Sequence, residues 1–268
     1  MTTARRTVVF NVTVAFVAAH LIIVLLHELA HVEAGLVLGY HNVLFPFGVT
    51  HHPEPTGAHA VIAGLAGPAF SLVTGFAALA LTPFRGGFAR LIWLWFAFLS
   101  VMEGIGYLVL TPFGIGDTGA AAVALELPPA VSWVCFAAGV LGVVWLARHF
   151  ASVALRHTDG ELESLRCFTF YPWIFGTIIA LALTSANLLL ANETFATGDV
   201  FGVLMAAFAL GVFSPMAMPF TTAARRRAPE IVGSVPLSLP RVPLTGIVIT
   251  VVIIALNLSV LSRGLPLG

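Results

Sequence analysis

The chain has 268 residues, of which 59% are hydrophobic and only 9% are charged, and its formal net charge is zero. Soluble domains carry about 25% charged residues, so this composition excludes an ordinary water-soluble globule. A chain without net positive charge has no general attraction for phosphate backbones, and we expect no nucleic-acid partner. The mean hydropathy of +1.01 instead predicts a protein whose main surroundings are the lipid bilayer.

Apolar runs long enough to cross a bilayer, which takes about 20 residues each, recur along the whole chain. We therefore predict an all-α, polytopic integral membrane protein with about seven transmembrane helices. A short membrane-associated hairpin is predicted at 42–50, where polar and apolar residues alternate weakly. The helices are predicted at about 8–39, 58–82, 88–110, 117–126 (a short piece), 130–150, 168–191, 199–220 and 244–262.

The arginines predict how the chain is oriented. Counting crossings from a cytoplasmic N-terminus places every arginine except Arg263 on the same side. Cytoplasmic loops are enriched in Arg and Lys, so we expect a multi-pass protein of the cell membrane with a cytoplasmic N-terminus. The five tryptophans near predicted helix ends are interpreted as an interfacial aromatic belt: Trp93, Trp95, Trp133, Trp145 and Trp173.

The first predicted helix contains the sequence H-E-x-x-H, formed by His27, Glu28 and His31. Ionisable side chains are costly inside an apolar span and are therefore expected to have a function there. On a helix, His27 and His31 lie on one face and can bind one metal ion, while Glu28 is placed to act as a general base. Imidazole and carboxylate ligands favour zinc. His20 shares this helix face and is expected to line the same polar cavity.

A catalytic zinc site needs a third protein ligand. Asp117 is the best candidate, because it follows a segment rich in glycine and proline that can unwind around a polar cavity. The alternatives are Glu103, in the third predicted helix, and the loop histidines His51, His52 and His59.

Together these motifs resemble the site-2 protease family of intramembrane zinc metalloproteases. The similarity covers roughly residues 15–125 and rests on the histidine motif, on Ala66-Gly67-Pro68, and on Pro112 followed by Asp117. It implies a zinc-dependent metalloendopeptidase, with His27, His31 and Asp117 as zinc ligands and Glu28 as the catalytic base. It also implies a transmembrane protein or peptide as substrate, a protease-like core at 1–127, and accessory transmembrane helices at 128–268.

The resemblance further assigns substrate binding to Gly67, Pro68 and Ser71. The chain departs from the family pattern at two positions, where Ser71 and Val109 replace asparagine. These replacements leave open a zinc-binding pseudoenzyme that holds a membrane partner without cleaving it. A membrane transporter is a further alternative, disfavoured because the sequence shows no internal repeat and the helices at 130–150 and 244–262 show almost no polar residues across them.

Overall fold

The computed structural model describes residues 2–84, 86–191 and 197–268. Within these residues, seven helical segments are long and apolar enough to cross a membrane. The all-α fold class and the predicted number of spans are confirmed by length and composition. The spans are Thr3–Val37, Gly57–Ala80, Gly87–Phe113, Pro129–Arg156, Leu162–Leu190, Val200–Arg227 and Leu244–Arg263.

The helices of the described residues are numbered in chain order. Their bounds are α1 (Thr3–Val37), α2 (Gly57–Ala80), α3 (Gly87–Leu110), α4 (Gly116–Ala124), α5 (Pro129–Arg156), α6 (Leu162–Phe168), α7 (Phe170–Leu190), α8 (Thr197–Ala209), α9 (Phe213–Met216), α10 (Met218–Arg227) and α11 (Leu244–Ser259). Short 3-10 turns follow α3, α10 and α11.

Helix α1 is the longest element and packs against α2, α3, α7 and α11. Its N-terminus is capped by Thr2, whose side-chain oxygen accepts a hydrogen bond from the Arg5 N–H at 3.4 Å. Its 35 residues correspond to a length of about 50 Å, more than the ~30 Å hydrocarbon core of a bilayer. The helix therefore reaches beyond one side of that layer or crosses it at a tilt.

The predicted hairpin is present and belongs to a small antiparallel sheet. Strand β1 (His41–Phe45) pairs with β2 (Gly48–His52), with Phe45 opposite Gly48 next to the turn. A third strand, β3 (Leu265–Leu267), was not predicted and pairs with the other edge of β1. The sheet packs on α1 through a small apolar cluster that includes Val32, Leu44 and Leu261.

The largest apolar core lies between α1, α3, α5 and α9. Trp95 is fully buried there, with its ring centroid 5.0 Å from that of Phe16 and 5.1 Å from that of Phe150. Phe98 and Phe213 complete this aromatic cluster. The interpretation of Trp95 as part of an interfacial belt is therefore wrong, because its helix face points into the helix bundle.

Candidate metal centre

Three side chains from two distant parts of the chain converge on one point. Nε2 of His27 lies 3.0 Å from Oδ2 of Asp117 and 3.0 Å from Nε2 of His31, and the latter atom lies 3.3 Å from the same carboxylate oxygen. Zinc bonds of 2.0–2.1 Å at tetrahedral angles place donor atoms about 3.3 Å apart. The donor set and its spacing therefore fit a metal ion, and His27, His31 and Asp117 are the group in the described ranges that can hold one.

His31 is held in an orientation suited to metal binding. Its Nδ1–H donates to the backbone carbonyl of Ala63, on α2, at 2.7 Å. This hydrogen bond leaves Nε2 without a proton in the neutral ring, so its lone pair points at the convergence point.

His27 is oriented by polar groups on the side of its ring away from the convergence point. Its Nδ1 lies 3.1 Å from Oγ of the fully buried Ser71 and 3.8 Å from Oε1 of Glu103. Tyr107 stacks on the imidazole at a centroid distance of 5.4 Å, and its hydroxyl donates to Glu103 at 3.5 Å. A hydroxyl and a carboxylate behind a ligand histidine fix its tautomer and its direction.

These contacts separate Asp117 from the alternative third ligands. Glu103 faces Nδ1 of His27, the nitrogen that points away from the other two ligands. The loop histidines have partners elsewhere: His51 contacts Asn42 at 2.6 Å, and His59 contacts the hydroxyl of Tyr40 at 2.9 Å. His52 is exposed at the end of β2.

The second motif lies directly against the two histidines. A Cβ atom added to Gly67 would clash with Nε2 of both His27 and His31, so only glycine allows α2 to come this close. Pro68 is buried next to it, and its carbonyl faces Gly104 of α3. Substrate binding by Gly67, Pro68 and Ser71 stays a prediction; their observed contacts are with His27, with His31 and with α3.

Val109, at the other position where the family pattern has asparagine, packs against another helix. A Cβ atom added to Gly139 of α5 would lie 2.9 Å from both the backbone nitrogen and Cγ2 of Val109. The residue thus contributes to the α3–α5 contact.

A cavity of about 920 Å³ opens beside the metal centre. Glu28, His31 and Asp117 line it, and His20 lies further along the same face of α1. The predicted position of His20 in the cavity wall is confirmed. Glu28 is 6% exposed, which places a carboxylate next to the candidate metal ligands with little access to bulk water.

Strand β2 forms a second wall of this cavity. His51 lines it and contacts Oδ1 of Asn42, and Asn42 in turn donates to the backbone carbonyl of Tyr40 at 3.2 Å. Gly35, one turn after His31, lets the sheet approach α1, because a Cβ atom there would clash with Asn42. Burial lowers the pKa of His51 below its ordinary value, and the neighbouring His31 and His52 lower it further.

The opposite wall comes from the C-terminal half of the chain. Helix α7 contributes one face, α8 contributes mainly small apolar residues, and α11 contributes Asn257. Three cavity residues were not predicted, since single polar side chains on apolar helices match no motif: Asn187, Asn257 and Tyr107. The division of the chain at 127/128 stays a prediction, but helices from both sides of it line this cavity.

Comparison of the chain with protein-family models, with curated proteins and with solved structures finds no match.

Proposed function

We propose that this protein is an intramembrane zinc metalloprotease that hydrolyses peptide bonds in or near transmembrane segments of membrane proteins. The observation that carries the proposal is the convergence of His27, His31 and Asp117 at 3.0–3.3 Å, beside a cavity that Glu28 also lines. This set matches the three protein ligands and the general base that hydrolytic zinc sites use.

His27, His31 and Asp117 would hold the ion, and Ser71 and Ala63 would keep the two imidazoles in the required orientation. Bound zinc supplies Lewis-acid chemistry, which polarises the scissile carbonyl and makes water easier to deprotonate. Glu28 takes a proton from the attacking water as its oxygen bonds to the carbonyl carbon. The same carboxyl group then gives the proton to the amine nitrogen as the C–N bond breaks.

The proposed substrate is a transmembrane protein or peptide. A helical segment in lipid has its carbonyls in internal hydrogen bonds, so the scissile bond must leave the helix before water can attack it. The buried carboxylate and the cavity between α1, α7 and α8 support a reaction on such a locally unwound segment.

The seven apolar spans support a multi-pass protein in the lipid bilayer, and we propose the cell membrane with the N-terminus in the cytoplasm. Cysteine accessibility tests this orientation in a background without Cys135 and Cys167. Glu54→Cys, next to the sheet, should react from outside the cell, and Arg226→Cys should react only after permeabilisation. The reverse pattern would invert the topology.

The decisive experiment compares purified wild type, Glu28→Gln and Asp117→Ala for zinc content and for cleavage of a panel of transmembrane peptides. Wild type should bind one zinc ion and cleave. Glu28→Gln should keep zinc and lose about 100-fold or more in cleavage rate. Asp117→Ala should lose both.

Each other result removes a specific part of the proposal. Full zinc in Asp117→Ala would remove the third ligand, and unimpaired cleavage by Glu28→Gln would remove the general base. Zinc retained without any cleavage by wild type would favour the pseudoenzyme, consistent with Ser71 and Val109 at the two asparagine positions.

A further inference from the structure

The wall of the cavity opposite the metal centre carries polar side chains on an otherwise apolar surface. On α7, Ala180, Leu183, Thr184 and Asn187 line the cavity at the spacing of one helix face. Asn257 of α11 lies in the same wall. Most of this surface therefore suits apolar side chains, while the two amides offer hydrogen bonds.

The two asparagines are linked by one buried hydroxyl. Ser262 is fully buried, and its Oγ–H donates to Oδ1 of Asn187 at 3.2 Å. The backbone carbonyl of Asn257 also lies within hydrogen-bond distance of this hydroxyl, so the two acceptors share its single proton. Ser262 therefore holds α7 and α11 together at the place where both amides meet the cavity.

The hydrogen-bonding capacity of this pair is only partly used. Asn257 is 7% exposed, and within residues 2–84, 86–191 and 197–268 its Oδ1 has no hydrogen-bond partner. The side-chain oxygen of Asn187 already accepts a hydrogen bond from Ser262. The NH₂ group of Asn187 is therefore the group that can donate to a ligand. A buried amide oxygen without a partner is costly, and a ligand that donates to it removes that cost.

We infer that Asn187 and Asn257 form a subsite for the backbone of an unwound peptide segment. An extended backbone offers a C=O group for the NH₂ of Asn187 and an N–H group for Oδ1 of Asn257. Its apolar side chains would lie against α7 and α8. In lipid such a segment has lost its helical hydrogen bonds, so these amides replace partners that the surroundings cannot supply. The inference rests on the proposed function for the identity of the ligand.

A binding assay tests the subsite without any cleavage. The protein carries Glu28→Gln, and the probes are two labelled single-pass peptides of leucine and alanine. One peptide has a central Gly-Gly pair that unwinds easily, and the other has Leu-Leu at the same place. Fluorescence anisotropy in nanodiscs gives the dissociation constant of each.

Asn257→Ala should weaken binding of the Gly-Gly peptide about tenfold, the effect of losing one buried hydrogen bond. The dissociation constant of the Leu-Leu peptide should stay unchanged in the same variant. The matched control is Thr250→Ala on the same helix, which lines a separate apolar cavity and should change neither constant. Equal constants for Asn257→Ala and Thr250→Ala with both peptides would overturn the inference.

A second measurement covers the case in which Asn257→Ala does not fold. A photoreactive benzophenone at the centre of the Gly-Gly peptide should crosslink to α7 and α11 of the otherwise unmodified Glu28→Gln protein. Crosslinks confined to α2 and α3 would reject the subsite. Neither the binding assay nor the crosslinking needs turnover. If the wild type proved inactive, proteolysis would be refuted, and these two experiments would still decide whether the subsite exists.

Discussion

The two walls of the cavity differ in how their polar atoms are satisfied. On the metal side, Nδ1 of His31 is bonded to Ala63, and Nδ1 of His27 contacts Ser71. On the opposite side, Oδ1 of Asn257 has no partner among the described residues. The same holds for Nδ1 of His20, which lies on α1 away from the metal centre. The Nδ1 atoms of the two histidines at the metal centre already have partners, whereas Oδ1 of Asn257 on the opposite wall can still accept a hydrogen bond from a ligand.

This difference fits the two tasks that the proposed hydrolase site must perform. Metal ligands bind well only when other contacts hold them in position beforehand. Mutation of those contacts commonly costs 10- to 100-fold in metal affinity. A surface that binds many peptide sequences must instead offer hydrogen bonds to a backbone that arrives later. The predictions below test this contrast, beginning with the largest expected effect.

Removal of the metal should have the largest effect. A ligand present at about 1,000 times its dissociation constant stabilises a protein by about 4 kcal/mol. Zinc-loaded protein should therefore unfold at a clearly higher temperature than protein treated with a chelator. Asp117→Ala should show no zinc-dependent shift in a thermal unfolding assay. The control Asp159→Ala changes an exposed loop aspartate and should keep the full shift.

Two glycines on α2 provide a matched pair for the geometry of the metal side. Gly67→Ala should weaken zinc binding tenfold or more, because its methyl group displaces both ligand histidines, and such overpacking costs about 1–3 kcal/mol. Gly64→Ala, one turn earlier, meets only the backbone oxygen of Asp117 at 3.9 Å and should bind zinc like wild type. Competition titration with a zinc chelator measures both. Equal affinities would mean that α2 does not position the histidines.

Two buried serines test whether the hydroxyl behind His27 matters. Ser71→Ala removes the contact at 3.1 Å and should weaken zinc binding about tenfold. Ser100→Ala removes a hydroxyl that is equally buried and has no partner within the described ranges, so zinc affinity should not change. If both variants bind zinc equally well, Ser71 has no role in orienting the ligand.

The metal side of the site was largely predictable from the sequence, and the amide side was not. His27 and His31 are separated by one helical turn, so local periodicity alone brings them together. Asp117 could be proposed because a glycine- and proline-rich segment before it interrupts an apolar run. Asn187 and Asn257 lie far apart in the chain and line the same cavity only because α7 and α11 pack side by side.

The same reasoning explains the errors in the predicted fold. In a chain this apolar, hydropathy does not distinguish a lipid-facing helix side from a side that faces other helices, so Trp95 could not be recognised as a core residue. Strand β3 contains only Leu265, Pro266 and Leu267, which is too short for an alternating pattern. Its place in the sheet depends on pairing with β1, more than 200 residues earlier in the chain.

The smallest effect is expected at His20, with His157, a histidine whose ring is hydrogen-bonded, as the comparison. His20 is 5% exposed, and its Nδ1 has no partner among the described residues. His20→Leu removes that unsatisfied group and should leave the free energy of unfolding unchanged or raise it by up to about 1 kcal/mol. His157 donates to the backbone carbonyl of Val235 at 3.0 Å, so His157→Leu should lower it by about 1–2 kcal/mol.

Chemical denaturation at pH 7.5 measures His157 with its ring neutral, because burial lowers the pKa of His157 to about 4. At lower pH the unfolded chain binds a proton near pH 6.5 that the folded His157 does not accept until about pH 4. In wild type, the free energy of unfolding therefore decreases progressively as pH falls from about 6.5 to about 4. His157→Leu should lose this pH dependence. A stability loss in His20→Leu as large as that in His157→Leu would show that the His20 ring has a hydrogen-bond partner in the folded protein.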